Sequence, residues 1–293
     1  MVTIEITGPD TGKTVLEILV DRIPAAPRSY LRRLLRSGKV RCKDRALTED
    51  DRPHDGEILL LPDSGRLREF CASALPPLDI LLETDDFIVV FKPAGLAVHS
   101  SVGHEGDNLT ARVRARMQHR KVPYKVAPVH RLDVGTSGPV LFGKGRKAIA
   151  RFGQLLQSGD LRKFYLALVY GTPPEAGTMT GNVRVQGKTK QAATRFRVLG
   201  RHGHTALLEL ELLSGRKHQI RQQCADAGWP LYGDGRYGGP AMPGADRLFL
   251  HCRQLAWPAD DGKEPCCVSC PLPGDLCEIL ARLHIGPPPP PDR

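Results

Sequence analysis

Val129-His130-Arg131-Leu132-Asp133-Val134-Gly135-Thr136-Ser137-Gly138 is the segment on which the reading of this chain turns. It holds one carboxylate among a histidine, an arginine, two hydroxyls and two glycines. Asp133 follows an apolar Leu132 and precedes a Gly-Thr-Ser-Gly turn signal. Such a pattern suits an acidic side chain presented on a loop lip above a pocket. The plainer alternative is an Asp that caps its own turn or pairs with Arg131.

Downstream, Val140-Leu141-Phe142 reads as a buried strand, and Lys147 to Leu156 as a helix with Ile149, Phe152, Leu155 and Leu156 on one side. The run Arg162 to Gly171 alternates Tyr165, Ala167 and Val169 against Phe164, Leu166 and Leu168. A strand apolar on both faces is buried. Tyr165 is therefore expected to be an interior phenol in need of a polar partner. Further on, Leu213 to Gln223 starts a polar, basic helix and leads into the glycine-rich stretch Gly228 to Gly238, which suits a wall facing nucleic acid. Upstream, Ile88 to Phe91 reads as a strand and Lys92-Pro93-Ala94-Gly95 as a turn whose Gly95 tolerates positive φ. His99 is read as a packing histidine rather than a ligand.

The N-terminal part is strongly basic. From Arg22 to Arg45 the single acid is Asp44. Within it, Pro27 to Gly38 predicts a short helix with Leu31, Leu34 and Leu35 on one face and Arg32, Arg33 and Arg36 on the other. Gly38 supplies its stop. With so few compensating acids, the arginine face reads as a phosphate-contacting surface, against the alternative of a solvated helix face.

The blocks taken together are similar to the RluA-type RNA pseudouridine synthases. The HRLD-x-x-TSG segment, the FKPAG turn, the Lys163-Phe164-Tyr165-Leu166-Ala167 strand and the SGRKHQIR block resemble that family's motifs in the family's order. Ser214 stands for the usual Thr, and Gln223 where the family carries His, a position to which no chemistry is assigned. Residues 12–62, through Arg28-Ser29, Gly38-Lys39-Val40 and the closing Asp55-Gly56-Glu57-Ile58-Leu59-Leu60, resemble an S4 RNA-binding domain. The resemblance implies that Asp133 is catalytic, that Tyr165 lies beside it, and that Arg221 is its ion-pair partner. It also implies an α+β catalytic domain around a mixed, largely antiparallel central sheet. The expected layout is an S4-like domain over 1–62, a linker over 63–77, a catalytic domain over 78–286 and a proline-rich, disordered tail over 287–293.

Composition fits this picture. The net charge is +10 and the pI about 9.3, as for proteins with polyanionic partners. No apolar run reaches the length of a membrane span, and the N-terminus shows no secretory pattern. A cytoplasmic monomer is expected. Three near-misses to a phosphate-binding loop, from Gly8, Gly138 and Gly181, fail on spacing or on the terminal hydroxyl. The CxxC Cys267 to Cys270, with Cys266 and Cys277, lacks the second pair typical of zinc sites, and is read as small buried hydrophobes.

The reaction expected is isomerisation of uridine to its C-glycoside in RNA, ribosomal before transfer RNA, with base flipping. Asp133 is the expected nucleophile, and neither metal nor cofactor is required. Arg131 is expected to contact phosphate or fill the space of the flipped base, and Arg32, Arg33, Arg36 and Lys39 to bind RNA. Two other classes stay open: a non-catalytic RNA-binding assembly factor, and a base-modifying enzyme with Cys224 as nucleophile.

Overall fold

The computed structural model describes residues 2–23, 26–72, 78–99, 108–119, 125–185, 187–242, 244–259 and 265–291. The N-terminal unit contains β1 (Val2–Glu5), α1 (Val15–Arg22), α2 (Arg28–Arg36), β2 (Arg41–Cys42), β3 (Arg45–Ala46), β4 (Ile58–Leu61) and α3 (Gly65–Ala72). Its strands form one antiparallel sheet in the order β1-β4-β2-β3. Thr14 starts α1 through a capping box. The Glu17 amide donates to Thr14 Oγ1, and the Thr14 amide donates to Glu17 Oε2 at 2.9 Å. Helix α2 has the expected faces. Leu31, Leu34 and Leu35 are buried in the unit's core, while Arg32, Arg33 and Arg36 are exposed. Gly38, at φ +66°, takes the left-handed conformation that ends the helix.

The sequence reading of 63–77 as a linker is corrected over 65–72, which form α3. Leu67 is fully buried in the N-terminal core, and Phe70 meets Tyr30 edge to face at 5.1 Å. Those two apolar anchors give the segment a packed face, which the surrounding Gly, Ser and Pro residues obscured. Residues 73–77 lie outside the described residues. The unit also takes in α4 (Leu109–His119) from Thr110 onward, where Arg116 pairs with Asp21 of α1 at 3.0 Å. The expected continuous span 78–286 is thus interrupted.

The larger unit contains β5 (Ile80–Glu83), β6 (Phe87–Lys92), β7 (Val126–Pro128), β8 (Gly138–Lys144), α5 (Gly145–Ser158), β9 (Arg162–Tyr170), β10 (Ala176–Val185), β11 (Lys188–His202), β12 (Thr205–Leu212), α6 (Gln219–Asp226), β13 (Leu250–Trp257), β14 (Cys266–Ser269) and α7 (Gly274–Arg282). Two sheets run β10-β11-β12-β9-β13-β14 and β5-β6-β8-β7. Their ladders are antiparallel. A parallel bridge between Ser137 and His251 joins the two sheets.

Alternation along β9 sets the two sides of the larger sheet. Leu166 and Leu168 pack in a core with Leu276, Ile279 and Leu280 of α7. Tyr165 points the other way, to the wall of a cavity. On α5, Phe152 is fully buried and meets Phe87 and Trp257 edge to face at 5.5 and 6.0 Å. Beyond α7, Arg253 donates to the Pro289 carbonyl, so the tail read as disordered is tethered at that residue. Cys267 and Cys277 are exposed, against the expectation of buried hydrophobes, whereas Cys270 is buried beside His251. No described helix is long and apolar enough to cross a membrane.

Candidate active site

The Asp133 loop links β7 to β8 and is pinned at both ends. Alternation buries His130 and Leu132 and turns Arg131 outward. The Thr136 amide donates to the Asp133 carbonyl at 3.0 Å, which closes the turn. From one side comes the Lys92–Gly95 turn. The Gly95 amide donates to the Val134 carbonyl at 2.8 Å. Lys92, fully buried, spreads its ammonium over the carbonyls of Pro93, Leu96 and Val134 at 2.8, 2.7 and 3.1 Å. Burial first, and then the charge of Arg247, bring its pKa down to about 7.

From the other side comes β13. The Cys252 amide donates to the Ser137 carbonyl at 2.8 Å, and Ser137 Oγ lies 3.0 Å from His251 Nδ1. Gly138 is required there. Its φ is +135°, and a Cβ would stand 2.2 Å from the Cys252 carbonyl oxygen. A side chain on a lip held in this way is preorganised rather than mobile.

The lip overhangs a cavity of about 340 Å³ lined by residues of the larger unit. Among the described residues of its wall, Asp133 is the single carboxylate, facing Arg131, Lys163, Arg216, Lys217 and Arg221. A wall of this sign draws a polyanion and leaves one acid where chemistry can occur. Tyr165 is buried on the same wall, and its register partner across the β9–β13 ladder is Cys252, to whose sulfur the phenol donates. Burial, then the neighbouring Cys252 and Asp133, raise the phenol's pKa well above its ordinary value, so it stays protonated. Arg131 lines the cavity and is exposed. So is His99, which stands on the wall and not in the core.

Arg221 is placed at the start of α6. Its Nη1 comes within 3.6 Å of Asp133 Oδ2, an ion-pair distance rather than a hydrogen bond. Its hydrogen bonds go elsewhere. Nε and Nη2 donate to Asp234 Oδ2 and Oδ1, both at 2.6 Å. Arg221 thus stands at ion-pair distance from Asp133, while its bidentate hydrogen-bond partner is Asp234, which the sequence reading had not assigned. A cation in the first turn of a helix opposes the helix dipole, and buried Asp234 offsets it. Burial works against the charge on Arg221, but the hydrogen bonds and charge of Asp234, with Asp133, outweigh it and raise its pKa.

Sequence reasoning gave no role to Asp234 or His218, although both sit in the quoted blocks. The signal for Asp234 was an arginine at a helix start, which calls for a carboxylate. His218 precedes α6 with φ +55° and ψ +23°, a left-handed conformation uncommon outside glycine. Its Nε2 is 3.7 Å from Asp133 Oδ2, and its Nδ1 is 3.0 Å from Tyr237 Oη. Gln223 has a structural part. Its amide donates to the carbonyls of Met179 and Ala192 and accepts from Thr194 Oγ1, which ties α6 to β10 and β11. Cys224 is fully buried, and burial foremost pushes its thiol up to about 12, so it offers the cavity no thiolate.

Of the residues expected to bind RNA on α2, Arg33 and Arg36 are exposed, as is Lys39 just after the helix. Arg32 is exposed but bound to Glu49 at 2.7 Å, so part of its charge is already answered.

A sequence profile described as RNA pseudouridylate synthase matches residues 86–226, a span that holds Asp133, Tyr165, His218 and Arg221. The chain is 30% identical to ribosomal large subunit pseudouridine synthase D of Xylella fastidiosa (strain Temecula1), over 95% of this chain and 92% of that protein. It is 29% identical to ribosomal large subunit pseudouridine synthase C of Yersinia pestis, over 96% and 95%. In structure it is similar to human RNA pseudouridylate synthase domain containing 4, with a TM-score of 0.60 and 24% identity, over 72% of this chain and 95% of that one. The fold is shared with that protein, and identity sustained over nearly the full length of the bacterial relatives settles the family: this chain belongs to the RNA pseudouridylate synthases and is an isomerase.

Proposed function

We propose that the protein converts one or more uridines of ribosomal RNA to pseudouridine with Asp133 as nucleophile. The observation that carries this reading is a single carboxylate on a pinned lip over a basic cavity, with a cation 3.6 Å away and a buried phenol on the same wall. A carboxylate can attack C1′ as the N1–C1′ bond breaks, or stabilise positive charge developing there. The reaction rearranges atoms without net oxidation, so its chemistry calls for no redox cofactor. Arg221 sets an opposite charge 3.6 Å from the Asp133 carboxylate and helps to aim it. Tyr165 stacks against the uracil, and Arg131 contacts phosphate or takes the place of the extruded base. Ribosomal RNA is favoured over transfer RNA because the relatives described above are named for the ribosomal large subunit. The N-terminal unit, with its Arg33, Arg36 and Lys39 face, serves as an S4-type RNA-binding module. A cytoplasmic site of action accords with such a substrate.

The test is pseudouridine mapping of total RNA from cells with and without the protein, together with the purified Asp133→Asn variant. A ribosomal uridine that goes unmodified in the absence of the protein is expected, as is no turnover by Asp133→Asn with RNA affinity kept within a few-fold of the parent, since phosphate contacts dominate affinity. Unchanged maps, or near-parental turnover by the variant, would sink the reading. Loss of function with no pseudouridine missing would favour an assembly factor instead.

A further inference from the structure

Isomerisation leaves one proton to be moved. When Asp133 attacks C1′, the N1–C1′ pair stays on N1. When C5 then attacks C1′, the pair of the Asp133–C1′ bond returns to the carboxylate. C5 now carries both the ribose and its own hydrogen. That proton must leave, its electron pair restoring the C5–C6 double bond, while N1 gains a proton. Nothing is oxidised or reduced. The site described above supplies a nucleophile, but the group that takes the C5 proton has still to be found.

In the rearranged adduct C5 is one bond from C1′, and C1′ sits against the carboxylate. The base must therefore stand next to Asp133 and have a lone pair available. Tyr165 is held as the neutral phenol. The Lys163 ammonium donates to the Leu161 carbonyl at 3.1 Å. His130 is fully used on its Nε2 side, which accepts the Leu141 amide at 3.2 Å. His218 has the required geometry. It lines the cavity, and its Nε2 lies 3.7 Å from Asp133 Oδ2.

We infer that His218 is the base that removes the C5 proton, held in the reactive tautomer by Tyr237. This assignment rests on the reading that Asp133 is the nucleophile. With the proton on Nδ1, His218 donates to Tyr237 Oη at 3.0 Å, and the Nε2 lone pair faces the cavity. Two lone-pair-bearing groups facing each other do not close to hydrogen-bond length, which accords with the 3.7 Å gap to Asp133. His218 holds a left-handed backbone at the start of α6, a strained conformation of the kind that clusters at reactive sites. Asp133, Arg221, Lys217, Arg236 and Tyr237 face the imidazole. Burial foremost, with the three cations and against the pull of Asp133, lowers its pKa, so the neutral form prevails at neutral pH.

The experiment uses the purified full chain and an RNA substrate carrying uridine, 5-deuterouridine or 5-fluorouridine at the modified position. The variants are His218→Gln and Tyr237→Phe, each checked for parental melting behaviour. For His218→Gln the expected result on uridine is a fall in kcat of about a hundredfold with KM nearly unchanged. A primary deuterium isotope effect absent from the parent should appear. The 5-fluoro substrate, which has no C5 proton, should be consumed at the parental rate. Tyr237→Phe should show the same pattern in weaker form, and it carries the test if His218→Gln does not fold. Near-parental turnover by the variants, or an equal loss on uridine and 5-fluorouridine without an isotope effect, overturns the assignment. A parent that forms no pseudouridine overturns the functional reading itself, which keeps the two failures apart.

Discussion

Arg221 is clasped by Asp234 through two 2.6 Å hydrogen bonds, and only its remaining edge is turned toward Asp133. Asp234 is almost wholly buried and is absent from the cavity wall. It therefore positions the cation without meeting the substrate. Asp234→Asn is expected to lower kcat by roughly a hundredfold, the scale of loss when a catalytic constellation shifts by about 1 Å, while RNA affinity changes little. Steady-state kinetics with binding measured in parallel would check this, and an unaffected kcat would mean that Arg221 keeps its place without the clasp.

Gly138 closes the Asp133 loop against β13. Gly138→Ala places a methyl group where the Cys252 carbonyl now lies and asks an L side chain for φ +135°. A destabilisation of about 3 kcal/mol is expected from overpacking and backbone strain together. Denaturant unfolding gives the value directly. A cost below about 1 kcal/mol would mean that the loop yields, and the lip would then not be rigid.

Two buried histidines make stability depend on pH. Burial foremost, with Lys163 adding to it, lowers His130 to about 3, and burial with Arg247 and Arg253 brings His251 to about 4. In the unfolded chain both bind protons near the ordinary value of about 6.5. Between these limits the unfolded state holds more protons, so the contribution of these two histidines is fully present above about pH 6.5 and is lost as the pH falls through this window. Melting temperatures across that range should fall with acid, and His130→Asn should flatten the slope by about one proton. An unchanged slope in the variant would show that His130 is not protonated on unfolding.

The basic face of α2 is expected to make phosphate contacts. Replacing Arg33, Arg36 and Lys39 with alanine should reduce the slope of log K against log salt by about 2, from roughly 0.7 for each contact to single-stranded RNA. Arg32→Ala should matter less, because Glu49 already answers part of that charge. Affinities over a salt series decide the matter, and a triple variant with the parental slope would remove this face from the RNA-binding surface.

What the sequence determined by itself was whatever depends on near neighbours along the chain. Apolar spacing placed the buried and exposed faces of α2, and alternation turned Tyr165 and Leu166 to opposite sides of β9. The Gly-Thr-Ser-Gly turn signal put Asp133 on a loop lip. These patterns are local, since helix and strand periods and turn residues act over a few positions. Tertiary structure decided the rest. It gave Arg221 to Asp234 before Asp133 and set His218 between Asp133 and Tyr237. It also folded residues 65–72 onto the N-terminal core through Leu67. Each of these outcomes turns on a contact beyond the reach of a helix or strand period, from 13 residues between Arg221 and Asp234 and 19 between His218 and Tyr237 upward. A motif can say which residue types are present. Which of two carboxylates an arginine grips depends on how the loops that carry them are placed around it, and that is settled only when the whole core packs.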